Sequence, residues 1–206
     1  MSVLCLNWET AHLHGEAWIA HHRLRHRLFV ERQGRDVPTV HGLEHDEFDT
    51  PAAQYLLWMD KNAVIRGVTR LLPTTRPYML KKLWPDLVEG ELPDSAAVWE
   101  ATRFGCDHTL DASTRRRAVA ELLCAMQEFG LGQGVEHYLA VIGARLLKCV
   151  VVKAGCRVTV LGSRRLFGRT PTVAADLTVA PEVLDELRRR AGIAGPVLKS
   201  DVSIAA

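Results

Sequence analysis

Apolar and polar positions along this chain sort into runs of strand-like and helix-like pattern. Residues 3–8 are apolar enough for a short first strand. Trp18, Leu24 and Leu28 recur in a basic background and predict a helix over residues 16–29. Residues 33–50 are polar and punctuated by Gly34, Pro38 and Gly42, a long excursion of the kind that is usually functional or mobile in a compact domain. Apolar runs at 54–59 and 63–71 flank Asp60-Lys61-Asn62 and predict two strands joined by a turn. A proline-bounded stretch, 73–85, holds a short helix at 79–84, and 97–106 reads as a strand. The clearest helix is 113–131, with Ala118, Leu122, Ala125, Met126 and Phe129 along one side; Asp111 or Ser113 caps it and Gly130-Leu131-Gly132 stops it. Strand 138–142, helix 146–154, strands 156–161 and 172–179, and helix 181–191 complete the map, with a loosely attached tail expected from Gly192. A hairpin followed by alternating strands and helices gives an α/β domain with a mixed sheet.

Composition narrows the function classes. At 206 residues the chain is read as a single domain, with residues 1–52 as an N-terminal segment and 193–206 as a loose tail. An apolar share of 48% and a charged share of 24% are ordinary for a globular protein. A net charge of +2 argues against a dedicated nucleic-acid binder. The most apolar stretch, 138–152, is interrupted by Arg145 and Lys148, so no membrane span is expected. Without a basic segment and apolar core at the start, no signal peptide is read, and the cytoplasm is the expected location. The five cysteines are odd in number and form no CxxC pair, so buried free thiols are expected rather than a disulfide framework. His22 and His26 share a helix face but lack acid or Cys partners at ligand spacing, so no metal site is expected.

One constellation is not explained by folding alone. Arg25-x3-Phe29, Asp46-x2-Asp49, Arg70, Trp84 and Glu100-x2-Arg103 follow one another over about eighty residues. They offer carboxylates to a cation, guanidiniums to an anion and aromatic faces to a flat group. The order resembles that of the LuxI family of autoinducer synthases, which make N-acyl-homoserine lactones. Residues 23–32 (RLRHRLFVER), 46–49 (DEFD), 70–80 (RLLPTTRPYML) and 98–104 (VWEATRF) carry the resemblance, which covers residues 20–106; the rest matches loosely.

The resemblance implies a GNAT-like mixed sheet with a V-shaped cleft between strands 97–106 and 138–142, flanked by helices. It also implies a reaction. The α-amine of S-adenosylmethionine attacks an acyl thioester, and the methionyl carboxylate then closes the lactone and expels methylthioadenosine. Both reactants are substrates, and no cofactor is implied. Glu100 is the candidate general base, directly or through a water, with Arg103 beside it. Strict alternation puts Arg103 on the opposite strand face from Glu100, so either a bulge intervenes or the two act on different sides. Asp46 and Asp49 are candidates to hold the amine, ribose or sulfonium; Arg25 ties their loop to the first helix, and Arg70 orients an acid or the substrate carboxylate. An internal ion-pair network pinning the loop is the competing reading of the same residues. Phe29 and Trp84 are candidates to pack on the substrate, or are core. Arg35 stands where the family usually has a tryptophan, placing a guanidinium beside the expected adenosyl site.

For the acyl group the candidates are Met79, Phe104, Met126, Val141 and Leu146. Val141 supplies no hydroxyl for a 3-oxo chain, which favours an unsubstituted, branched or aromatic acyl group. Arg115, Arg116 and Arg117, with Arg145, Lys148 and Lys153, form a candidate basic rim for acyl carrier protein or for the phosphates of acyl-CoA. No Gly-rich turn follows Cys106, which leans toward the carrier protein. Two other readings stay open: a GNAT-type acyl-CoA transferase acting on another amine, and a diverged binding protein, kept alive by Arg35.

Overall fold

A computed structural model describes residues 2–199 in two compact units. The first comprises residues 2–71, 103–126 and 195–199; the second comprises 72–102 and 127–194. In chain order come β1 (Ser2–Asn7), α1 (Gly15–Arg25), β2 (Thr39–Val40), β3 (Leu43–Glu44), β4 (Gln54–Met59) and β5 (Ile65–Pro73). There follow α2 (Met79–Leu83), β6 (Val98–Cys106), α3 (Ala112–Gln133), β7 (His137–Gly143) and α4 (Ala144–Leu146). The last elements are β8 (Val158–Val160), β9 (Arg165–Phe167), β10 (Thr170–Thr178), α5 (Pro181–Ala191) and β11 (Leu198–Lys199).

In the first unit β4 pairs antiparallel with β1 and with β5, setting Trp58 opposite Val3 and Leu57 opposite Val68. Tyr55, Leu56, Leu57 and Trp58 are all buried, so this strand reads as a continuous apolar run rather than an alternating one. The Trp58 indole N–H donates to Glu121 on α3 at 2.6 Å, which satisfies two polar groups in the core. A Cβ on Gly67 would lie 3.0 Å from that of Trp58, tighter than ordinary contact, so glycine lets β5 lie close to this residue. Asp111 caps α3, its Oδ1 accepting from the amides of Ser113 and Thr114 at 2.9 and 3.0 Å.

The second unit is built on β10, which pairs antiparallel with β7 from Thr172 opposite Gly143 to Thr178 opposite His137, and with β8 and β9. Strand β6 runs parallel to β7 only from Val98 to Glu100; the ladder stops there although both strands continue. Helix α5 opens on Pro181, buries Val183, Leu184 and Leu187, and ends at Gly192 in the left-handed region.

Five details differ from the sequence expectation. The helix expected over 146–154 is α-helical at Ala144–Leu146 and widens into a π-helical turn over Leu147–Val152. The first helix does not stay α-helical to Phe29: it widens into a π-helical turn over His26–Glu31, with the Arg32 amide reaching the Arg27 carbonyl five residues back. Within the polar excursion, β2 and β3 form a hairpin whose two turn residues, His41 and Gly42, both have positive φ, as a tight primed turn requires. The charged residues 164–169 include a strand, β9, that folds back on β10 through Gly168 and Arg169. The tail is not loose as far as it is described: Ile193 and Val197 are buried, and Leu198 pairs parallel with Val3. Residues 200–206 lie outside the described residues. Among the described residues, no helix is long and apolar enough to cross a membrane.

Candidate active site

The last turn of α1 carries Arg25, the π-helical turn carries Phe29, β3 and the loop after it carry Glu44, Asp46 and Asp49, and β5 and β6 carry Arg70 and Arg103. All belong to the first unit. Arg25 forks onto Asp49 at 2.7 and 2.8 Å and donates through Nε to Glu44. Arg70 reaches Asp46 at 2.6 and 3.1 Å and Asp49 at 2.7 Å. Arg103 reaches Glu44 at 2.8 and 3.1 Å and Asp46 at 2.6 Å.

These contacts close a ring. Each guanidinium touches two carboxylates and each carboxylate touches two guanidiniums, in the order Arg25, Glu44, Arg103, Asp46, Arg70, Asp49 and back to Arg25. Three positive and three negative charges cancel, so buried groups that would each be costly alone are neutralised together. Burial pushes the carboxyls of Glu44, Asp46 and Asp49 up, but the arginine bonds outweigh it and hold all three below the usual carboxylate range. For Arg25 and Arg70 burial alone favours loss of the proton; the acids overcome it and raise both.

Neutral neighbours brace the ring. The Tyr55 hydroxyl donates to Asp49 at 2.7 Å, the Asp46 amide donates to Asp49 at 2.7 Å, and His22 Nδ1 sits 2.7 Å from the Glu44 carbonyl. His21 stacks on Tyr55 with ring centroids 4.6 Å apart, and both its ring nitrogens are buried without a hydrogen bond. Burial, and then the charges of His22 and Arg25, keep the His21 imidazole well below its usual pKa and therefore neutral.

Arg103 lies in the left-handed region at φ 53. This kink breaks the alternation of β6, so that Glu100, Arg103 and Cys106 are all buried at a three-residue spacing. A non-glycine residue held there is costly and persists only where its surroundings demand it; the bonds to Glu44 and Asp46 supply that demand. In the second unit Glu100 is fully buried on β6, and its two oxygens accept the amides of Met79 and Leu80 at 2.8 Å each, at the start of α2. Trp84 packs on Phe167 with centroids 5.2 Å apart.

A family model for autoinducer synthases matches residues 12–187, most of the chain and all of the residues just described. The chain belongs to the autoinducer synthase family. The isovaleryl-homoserine lactone synthase of Bradyrhizobium diazoefficiens is 33% identical over 187 residues, covering 88% of this chain and 82% of that one. The solved structure of the CoA-dependent acyl-homoserine lactone synthase BjaI, with S-adenosylmethionine and isopentyl-CoA, matches at a TM-score of 0.86 and 29% identity over 96% of this chain and 92% of its own. That of a second CoA-dependent synthase, MesI, matches at 0.87 and 26% identity over 97% and 100%. The fold is the GNAT-like acyltransferase fold of these synthases.

Within this autoinducer synthase the candidates expected from the sequence divide between the units. Arg25, Phe29, Arg35, Asp46, Asp49, Arg70 and Arg103 are together in the first; Trp84 and Glu100 are in the second. Of the acyl candidates, Phe104 and Met126 are in the first unit, and Met79, Val141 and Leu146 in the second, where Leu146 is exposed. The basic rim divides as well: Arg115, Arg116 and Arg117 begin α3 in the first unit, while Arg145, Lys148 and Lys153 lie in the second. A groove of about 390 Å³ in the second unit is lined by Leu147, Val152, Val158, Val160 and Val173, with Lys148 and Arg164 as its charged members. The ring member that sequence reading missed is Glu44, which contributes a third acid two residues before Asp46.

Proposed function

We propose that this chain makes an N-acyl-L-homoserine lactone from S-adenosylmethionine and an acyl-CoA. The acyl-homoserine lactone synthase activity follows from membership of the family. The choice of CoA over a carrier protein rests on the match to BjaI and MesI, both CoA-dependent, at TM-scores of 0.86 and 0.87 over nearly the whole chain. That match outweighs the missing Gly-rich turn. A short branched acyl group agrees with Val141, which offers no hydroxyl, and with the isovaleryl product named for the Bradyrhizobium relative.

The residues then take these roles. Glu100 removes the proton from the α-ammonium as the amine attacks the thioester carbonyl, directly or through a water. Two lone-pair positions of its carboxylate are occupied by the Met79 and Leu80 amides, which fix its orientation and leave others for the proton. Beyond Glu100 strand β6 no longer pairs with β7, and Arg103 kinks it; backbone amides at such a break are the type of donor that stabilises the oxyanion of a tetrahedral intermediate. Thiol leaves as the amide forms; the carboxylate oxygen then displaces methylthioadenosine at the γ-carbon. The charged ring holds the loop of residues 44–49 against α1, β5 and β6, so that its outer atoms are preorganised for the sulfonium substrate.

A direct test offers the purified protein S-adenosylmethionine with isovaleryl-CoA, butanoyl-CoA and the matching carrier-protein thioesters, recording thiol release and lactone mass. Lactone from the CoA esters is expected. Lactone only from carrier thioesters would overturn the donor assignment. Thiol release only with another amine, or binding without product, would overturn the function.

A further inference from the structure

Outside the closed ring the first unit holds one more guanidinium beside it, that of Arg35. Its central carbon lies 5.5 Å from the centroid of Phe29, and the guanidinium of Arg103 lies at 5.5 Å from the same ring. Backbone geometry fixes it there, because the Arg35 amide donates to the Phe29 carbonyl at 3.0 Å where the π-helical turn ends. Arg103 has Glu44 and Asp46; the Arg35 guanidinium has no hydrogen bond or ion pair among the described residues. Loss of solvent, and then the charge of Arg103, act against its positive form, opposed in smaller measure by the charge of Glu44. The site therefore carries a cation without an acid partner among the described residues, exposed and resting over an aromatic ring.

Such a group fits a carboxylate, which it binds through two parallel N–H bonds. S-adenosylmethionine carries two positive groups and one negative group, its carboxylate. Arg25, Arg70 and Arg103 each already satisfy two acids of the ring, so taking the substrate carboxylate would cost one of them a partner. We propose that Arg35 is the residue that binds the carboxylate of S-adenosylmethionine, through a guanidinium preset on the face of Phe29. The inference rests on the proposed function, since it takes that molecule as the nucleophile. It also sets specificity, because adenosyl compounds without a carboxylate gain nothing from Arg35.

Titration calorimetry on the whole protein, as wild type, Arg35→Gln and Arg35→Lys, tests it with three probes: S-adenosylmethionine, 5′-methylthioadenosine and isovaleryl-CoA. Methylthioadenosine keeps the adenosyl group and lacks the carboxylate. For Arg35→Gln we expect roughly tenfold weaker binding of S-adenosylmethionine, the loss of one charge-assisted contact, with methylthioadenosine unchanged and Arg35→Lys intermediate. Equal weakening of both adenosyl ligands would place Arg35 on the adenine ring instead. Weakening confined to isovaleryl-CoA would make its partner a donor phosphate, and no change in any titration would leave it without a ligand; each of these overturns the proposal. Wild-type protein that fails to bind S-adenosylmethionine at all would overturn the functional reading along with it.

Discussion

Replacing Glu44 by glutamine tests the ring at its least exposed acid. Glu44 is fully buried and accepts from Arg25, also fully buried, and from Arg103, 7% exposed. The amide keeps the shape but removes the charge, leaving three guanidiniums against two carboxylates, and it turns an NH2 toward one of the arginines. Removing one partner of a buried ion pair costs about 3–5 kcal/mol. A Coulomb estimate agrees, since one pair at ~4 Å and an effective dielectric of ~20 is worth about 4 kcal/mol. For a chain of this size that corresponds to a fall in melting temperature of roughly 6–20 °C. Urea unfolding followed by tryptophan fluorescence gives the free energy directly. Glu91→Gln, exposed and outside the ring, is the control and should stay within about 0.5 kcal/mol of wild type. The double variant Glu44→Gln with Arg103→Met removes the surplus charge and should recover at least ~1 kcal/mol relative to the sum of the two single changes. A loss below about 1 kcal/mol for Glu44→Gln, with additive behaviour in the double variant, would refute the idea of a coupled buried ring.

Three other outcomes are expected. Glu100→Gln should slow amide formation by about 100-fold or more while leaving the dissociation constant of S-adenosylmethionine unchanged; equal losses in both, or none, would remove Glu100 from the role of base. Gly162→Ala should destabilise by about 1–3 kcal/mol in thermal melts, because a Cβ there would sit 2.5 Å from the Leu87 carbonyl oxygen, which belongs to backbone and cannot swing away. Acid should unfold the protein through the ring: Glu44, Asp46 and Asp49 have folded pKa values below their unfolded ones, so their contribution is complete above the unfolded values near ~4 and is lost as pH falls through the depressed folded ones. A urea midpoint that does not decline on going from pH 5 toward pH 3 would contradict that sign.

Regular elements with one dominant period were legible in the chain, and the elements set by partners were not. The pattern at Ala118, Leu122, Ala125 and Met126 marks α3 because its buried face repeats at helical spacing. Strand β9, with Arg165 and exposed Leu166, has no buried face to advertise it and exists because β10 offers a ladder. Strand β11 is two residues long and is recruited by the edge of β1. The π-helical turn leaves no periodic signal either; one extra residue per turn looks like ordinary slack until its carbonyl partners are known.

The site shows the same division, with one part recoverable from arithmetic. Spacing picked out Arg25, Asp46, Asp49, Arg70 and Arg103, and the alternative of an internal ion-pair network described their contacts well. With Glu100 engaged by the Met79 and Leu80 amides, the three arginines set against Asp46 and Asp49 alone would leave a buried surplus of one positive charge, a balance that low-dielectric surroundings do not tolerate. Glu44 supplies the third carboxylate; it follows the turn-forming His41-Gly42, precedes Asp46 by two residues and shares Arg103 with it. Its main-chain position is fixed by the hairpin turn and its carbonyl by His22, so the carboxylate reaches Arg25 and Arg103 without further ordering cost. Arg35 gives the opposite result: among the described residues no acid pairs with its guanidinium, and a cation beside a closed neutral ring is what the proposed carboxylate ligand would neutralise.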